Sequence, residues 1–143
     1  MKPDEFTNGP MANVRRLHRA GVAITAGTDA PLYNLKLGES VHRELELLVE
    51  AGLSPMEALQ AATSRPARMV QRAASVGTIE VGMRADLIAV AGDPLRTIAN
   101  TRRCASSFAT GGSSTLTLSQ ARTPAGKSVI HGDPLCRSCG TRL

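Results

Sequence analysis

Aromatic residues are scarce in this sequence, and tryptophan is absent. Among its 143 residues there are one tyrosine and two phenylalanines. Aromatic rings bury the largest apolar areas per side chain, so they usually anchor a core. Hydrophobic residues make up 42% of the sequence, which is the content of a globular protein. We therefore expect a thin core built from aliphatic side chains.

Cysteines and long apolar runs are also few. The three cysteines, Cys104, Cys136 and Cys139, lie in the last third of the sequence. An odd number of cysteines, with no apolar export signal in Met1–Pro10, does not suggest a disulfide framework. No apolar run approaches the roughly 18 residues of a membrane span. These absences predict no membrane partner and favour the reducing cytoplasm.

The length and charge narrow the function classes further. At 143 residues the chain is too short for a complete (β/α)₈ barrel, which usually needs about 250 residues. The net charge is +5, but the basic residues are spread along the chain and are not interleaved with aromatic side chains. This distribution predicts a solvated basic surface, with no nucleic-acid partner.

One candidate site residue, Asp29, follows a helix-then-strand pattern. The helical spacing of apolar residues covers Asn13–Ala20 and ends at Gly21, and the apolar run Val22–Ala26 that follows is typical of a buried parallel strand. The turn residues of Gly27–Pro31 then place Asp29 where this strand gives way to a loop. Active-site residues of α/β barrels lie at such positions. The alternative role is an ordinary helix cap or Asx-turn.

Three helices and two strands are predicted after this turn. The first helix, Glu39–Ala51, has an apolar stripe and ends at a glycine. The second begins at the capping box of Ser54, and a third, short helix covers Ala67–Arg72. The β-rich runs Val76–Glu80 and Ala85–Val90 predict two strands joined by a turn. Most of the tail, Cys104–Leu143, has no periodicity, and we expect it to be disordered.

Three stretches carry a family resemblance. They are VRRLHRAGVAITAGTDAP from Val14, HRELELLVEAGLSPMEALQAATSRPARM from His42 and VGTIEVGMRADLIAVAGDPL from Val76. Together they resemble the C-terminal third of the amidohydrolase superfamily, and within it the imidazolonepropionase and proline-dipeptidase branch. The resemblance runs to Ile98 without a gap. Beyond about Asn100 the sequence leaves the family pattern, as a shifted reading frame or a foreign fusion would produce.

The resemblance implies an α/β fold in three parts. Residues 1–75 would be the C-terminal βα portion of a TIM barrel, with its last strand and the following helices. Residues 76–98 would be two returning strands of a small β-sandwich, and residues 99–143 a divergent tail of low order. The chain would then be a fragment, because the family's other barrel strands match nothing in it.

For function, the resemblance implies a metal-dependent hydrolase of C–N bonds. Asp29 matches the family's aspartate that is both a metal ligand and the catalytic base. The cofactor would be a divalent metal, zinc above all, and the substrate a small amide, a cyclic amide or a dipeptide. The family's remaining ligands have no matching positions here, so we expect the fragment to be inactive alone and not to hold the metal. It would associate with itself or with a complementing N-terminal fragment.

The other potential ligands have simpler interpretations. His18 and His42 lie on predicted helices and are expected at a helix surface or interface. Cys136 and Cys139 form half of a zinc-ribbon pattern with His131 nearby, but the second half is absent. The alternative function is therefore a non-catalytic binding module whose basic CxxC tail captures zinc or a nucleic acid.

Overall fold

The structure, a computed structural model, describes the backbone of residues 3–32, 35–109 and 112–114, and the side chains of 9–32 and 35–109. Within these ranges helices come first and a small sheet follows. None of the described helices is long and apolar enough to cross a bilayer.

The first helix, α1, spans Pro3–Arg19 and so begins well before Asn13, where the predicted helical spacing starts. The helix ends just before Gly21, as the sequence predicts. Gly21 has φ 78°, and the Val22 amide donates to the Leu17 carbonyl at 3.0 Å. This arrangement satisfies carbonyls at the helix end and turns the chain into the next segment.

The second helix, α2, spans Glu39–Glu50, so its prediction is confirmed to within one residue. Its end uses the same device as α1. Gly52 has φ 110°, and the Leu53 amide donates to the Leu48 carbonyl at 3.1 Å. The reversal allows the chain to pack the next helix against α2.

The third helix, α3, spans Pro55–Ala62 and has the predicted capping box. The Glu57 amide donates to Ser54 Oγ at 3.2 Å, and Glu57 Oε2 accepts from the Ser54 amide at 2.8 Å. The short helix α4 spans Ser64–Met69, so it starts before the predicted Ala67. The capping box of α3 is a local signal, which is why the sequence predicts this helix, whereas no side-chain cap marks the start of α4.

The sheet has three antiparallel strands in the order β1-β2-β3, with β1 at Leu87–Val90, β2 at Cys104–Ala109 and β3 at Gly112–Ser114. Leu87 pairs with Phe108. A 3₁₀ helix at Ile98–Arg102 connects β1 to β2.

The predicted pairing of Val76–Glu80 with Ala85–Val90 is wrong. Residues 76–80 form no strand, and Ile79 among them is 85% exposed. The partner of β1 is instead β2, which begins at Cys104 in the segment predicted to be disordered. Pairing with β1 satisfies backbone hydrogen-bonding groups of β2, and the local composition of that segment does not indicate this pairing. The tail from residue 115 onward lies outside the described residues.

The predicted strand Val22–Ala26 is an extended segment that joins no sheet among the described residues. Its hydrogen bonds go to helices instead. The Ala26 amide donates to the Ala61 carbonyl at 2.8 Å, and the Arg65 guanidinium donates to the Ile24 carbonyl at 3.4 Å. A parallel strand needs neighbouring strands to become part of a sheet, and nothing in the described chain supplies them.

The core is aliphatic and small, as the scarcity of aromatic residues predicts. It lies where α2 meets α3, and the 3₁₀ helix closes one side of it. Ile24 and Ala26 of the extended segment pack against it. Its buried members are Leu45, Leu48, Leu53, Ala58, Ala61 and Ile98.

His42 on α2 is buried, not exposed on the helix surface. Its Nδ1 has no hydrogen-bond partner within the described part of the chain. Burial lowers the pKa of the His42 imidazole below its ordinary value of 6.5, and the positive charge of Arg102 lowers this pKa further. The carboxylates of Glu46 and Glu39 oppose the shift but do not reverse it. The folded chain therefore favours neutral His42.

Removing the capping hydroxyl should destabilise α3. We expect Ser54→Ala to lower the free energy of unfolding by about 0.5–2 kcal/mol, because the Glu57 amide loses its acceptor. Urea unfolding followed by circular dichroism measures this change. The matched control is Ser40→Ala in the first turn of α2, expected to change stability by about 0.5 kcal/mol or less. Equal effects of the two substitutions would contradict the prediction.

The neutral state of His42 should make stability depend on pH. Because the unfolded chain binds a proton near pH 6.5 and the folded chain binds it only at lower pH, stability should fall as the pH drops below about 6.5. Unfolding midpoints at pH 7.5 and 5.5 measure this loss. We expect His42→Met to flatten the dependence, and the control His18→Gln to retain it. A dependence unchanged in His42→Met would refute the assignment.

Candidate functional site

Asp29 lies in a turn at the end of the extended segment. Its backbone has φ 52°, a left-handed conformation that aspartate tolerates better than most residues. The Leu32 amide donates to the Asp29 carbonyl at 3.0 Å, and the Ala30 amide donates to Thr28 Oγ1 at 3.3 Å. The turn therefore closes on its backbone and on the threonine hydroxyl.

The Asp29 side chain takes no part in these contacts. It is exposed, and no described residue donates a hydrogen bond to its carboxylate or forms an ion pair with it. The Asp29 side chain cannot form an Asx-turn. That turn needs the amide hydrogen two residues later, and Pro31 at that position has none. The carboxylate is thus free to accept a ligand from outside the described chain.

A carboxylate of α2 fixes the start of this turn. The Gly27 amide donates to Glu44 Oε1 at 2.6 Å, across 17 positions of sequence. Hydrogen bonds to an ionised acceptor are shorter and stronger than neutral ones. Glu44 could not be identified from the sequence, because a glutamate on the polar side of a helix gives no local signal of such a contact.

A groove of about 620 Å³ opens beside the turn, between α1 and α2. Its walls are mainly apolar, with Val14 from α1 and Leu47 from α2, and Thr28 and Glu44 lie at the turn. Asp29 is not among the lining residues. The predicted site residue is therefore adjacent to the groove and outside it.

His18 connects α1 to α3. Among the described residues it forms no cluster of potential metal ligands with Asp29. Its Nε2 donates to Glu57 Oε1 at 3.0 Å. This hydrogen bond, with those from the Ser54 amide and hydroxyl, lowers the pKa of Glu57 to about 2. The expectation that His18 lies at a helix interface is correct.

The described residues do not make a metal site by themselves. Nowhere in residues 9–32 and 35–109 do three or more His, Cys, Asp or Glu side chains form a group that could hold a metal ion. Catalytic zinc usually takes three protein ligands. The Asp29 carboxylate belongs to no such group, and one carboxylate is fewer than this number of ligands.

Cys104 in β2 is buried, and its Sγ donates to the Ser106 carbonyl at 3.5 Å. His131, Cys136 and Cys139 lie outside the described residues.

The 3₁₀ helix is connected to α2 by a second contact that gives no local signal in the sequence. Arg102 Nε donates to Glu46 Oε1 at 2.7 Å. This hydrogen bond is the main cause that lowers the pKa of Glu46, against the opposing effect of its burial. The two residues are 56 positions apart, so only the fold brings them together.

Both the sequence and the structure of this chain are similar to those of known proteins. The model of the amidohydrolase family matches residues 4–113. The imidazolonepropionase of Thermoanaerobacter pseudethanolicus is 34% identical over 90 residues, which are 59% of this chain and 20% of that enzyme. The imidazolonepropionase of Caldanaerobacter subterraneus subsp. tengcongensis is 37% identical over 90 residues, with the same shares of 59% and 20%.

Among solved structures, a Xaa-Pro dipeptidase with bound methionine in its active site is similar, with a TM-score of 0.67 and 30% identity. The likeness covers 73% of this chain and 25% of the dipeptidase. The chain thus spans about a fifth of the length of the curated relatives and a quarter of that structure. Since the family model matches most of its residues, the chain belongs to the amidohydrolase family.

Proposed function

We propose that this chain is the segment of a metal-dependent C–N hydrolase that supplies the acidic ligand Asp29 to the active site. The observation that carries the proposal is the exposed carboxylate, unpaired among the described residues, in a turn that ends an extended apolar segment. In α/β barrels such turns, at the carboxyl ends of strands, hold the active-site residues. Membership of the amidohydrolase family supports the same position for Asp29.

The substrate class follows from the relatives and is part of the proposal. The similar proteins are imidazolonepropionases and a Xaa-Pro dipeptidase. A small cyclic amide or a dipeptide is therefore the substrate that we propose for the complete enzyme. A divalent metal, with zinc the first candidate, is the cofactor, and the described residues do not form its site alone.

The remaining barrel must come from another segment or chain. Val22 is 46% exposed, and the extended segment that it begins has no neighbouring strand among the described residues. Unpaired strand edges with apolar faces favour association. A complementing N-terminal segment would provide the neighbouring strands, and self-association is the alternative.

The chain alone should be inactive. With added zinc, manganese or cobalt we expect no hydrolysis of Xaa-Pro dipeptides or cyclic amides, because one carboxylate does not hold a catalytic metal. Product detection by chromatography, with a complete prolidase as positive control, measures this. Metal-dependent turnover that disappears in Asp29→Asn would show the prediction to be wrong.

A chimera tests the role of Asp29 in a complete barrel. Residues 14–98 of this chain would replace the matching part of the Caldanaerobacter imidazolonepropionase, and kcat would be measured for that enzyme's own reaction. We expect a folded, active chimera in which Asp29→Asn lowers kcat by roughly 10²–10⁴-fold, the usual contribution of a catalytic acid or base.

The control for the chimera is Asp86→Asn, which makes the same chemical change at an exposed carboxylate paired with Arg84. It should leave kcat within about threefold of the parent. A folded chimera without activity, or one whose activity survives Asp29→Asn, would overturn the proposed function.

A further inference from the structure

We infer that Glu44 is a positioning residue that sets the turn carrying Asp29, an inference that rests on the proposed function of that turn. The contact is specific. Glu44 Oε1 accepts the Gly27 amide at 2.6 Å, and Gly27 lies two residues before Asp29. No other side chain in the described part of the chain reaches the backbone of Gly27–Asp29 from a distant element.

The extended segment is held at separate points along its length. Helix α3 accepts the Ala26 amide through the Ala61 carbonyl, and Arg65 donates to the Ile24 carbonyl. Both contacts act on the segment before the turn. Glu44 acts at the point where the segment becomes the turn, so it controls the direction in which the turn leaves the segment.

Contacts on both sides hold the turn. Asp29 is in the left-handed region at φ 52°, which is less favourable for a residue with a Cβ than for glycine, although aspartate tolerates it better than most. On its far side the turn is closed by the Leu32 amide bound to the Asp29 carbonyl. On its near side the Gly27 amide is bound to Glu44. Asp29 is thus fixed between one contact to α2 and one within the loop.

This placement matters for chemistry more than for stability. The Gly27–Glu44 hydrogen bond is exposed, and single exposed contacts contribute little to the stability of a whole chain. A displacement of about 1 Å at a catalytic group can nevertheless cost on the order of 10²-fold in rate. Loss of the contact should therefore change the turn and kcat while leaving the melt nearly unchanged.

The first test uses the full chain without metal or substrate. Amide hydrogen exchange of Gly27 and Asp29, resolved by NMR, is compared for the parent, Glu44→Ala, Glu44→Gln and the control Glu50→Ala. We expect Glu44→Ala to speed the exchange of the Gly27 amide by about tenfold or more, since the amide loses its acceptor. Glu44→Gln keeps an acceptor oxygen and should remain within about threefold of the parent.

The control, Glu50→Ala, removes from the same helix a carboxylate that binds Arg43 and is far from the turn in sequence. In this variant the exchange rate of the Gly27 amide should equal that of the parent. If Glu44→Ala leaves Gly27 and Asp29 unchanged, or if Glu50→Ala changes them equally, Glu44 does not position the turn.

The second test uses the active chimera. Glu44→Ala should lower kcat by about 10- to 100-fold, the usual effect of losing a residue that orients a metal ligand, with KM within about threefold. Glu44→Gln should restore most of kcat, which a general loss of folding would not allow.

Unchanged kcat in Glu44→Ala would overturn the inference while leaving the role of Asp29 intact. A folded but inactive parent chimera would instead count against the proposed function, and the exchange result would still decide the role of Glu44 in the turn.

Discussion

The packing of α2 against α3 is the interaction on which the rest of the described structure depends. Leu45 and Leu48 on one helix meet Ala58 and Ala61 on the other. Small side chains on α3 allow the two helices to approach closely, which compensates for the scarcity of large aromatic side chains in the sequence. The glycine turn at Gly52 and the capping box at Ser54 set the short connection that makes this contact.

The extended segment and its turn depend on these helices. Ile24 and Ala26 pack on the core, and their backbone hydrogen bonds go to α3 and to Arg65 of α4. Glu44 of α2 then holds Gly27. The helices that bury the core thereby also determine where the Asp29 carboxylate lies, which connects the stability of the chain to its proposed chemistry.

The sheet joins this unit through a polar contact as well as an apolar one. Ile98 reaches the core, and Arg102 binds Glu46 on α2. Both come from the 3₁₀ helix between β1 and β2. The neutral form of His42 is favoured mainly by its burial, and the charge of Arg102 adds to this effect while that of Glu46 opposes it. The beginning of the segment predicted as a tail is therefore part of the folded unit.

Local signals in the sequence predicted α2 and α3, the glycine ends of α1 and α2 and the turn that contains Asp29, but not where α1 and α4 begin. Gly21, Gly52 and the Ser54 capping box act over a few residues, so their effects can be predicted without a fold. The family resemblance likewise depends on contiguous motifs, and the family model confirms it.

Only the tertiary structure decided the contacts between distant residues. It paired β1 with β2, left Val22–Ala26 without a neighbouring strand in the described part of the chain, buried His42 and brought Glu44 to Gly27. Strand pairing and side-chain contacts across 17 or 56 positions depend on which surfaces meet, and no periodicity records that. The residue that presents its carboxylate was evident in the sequence, whereas the residue that holds its turn was not, because one follows from local turn chemistry and the other from the packing of α2.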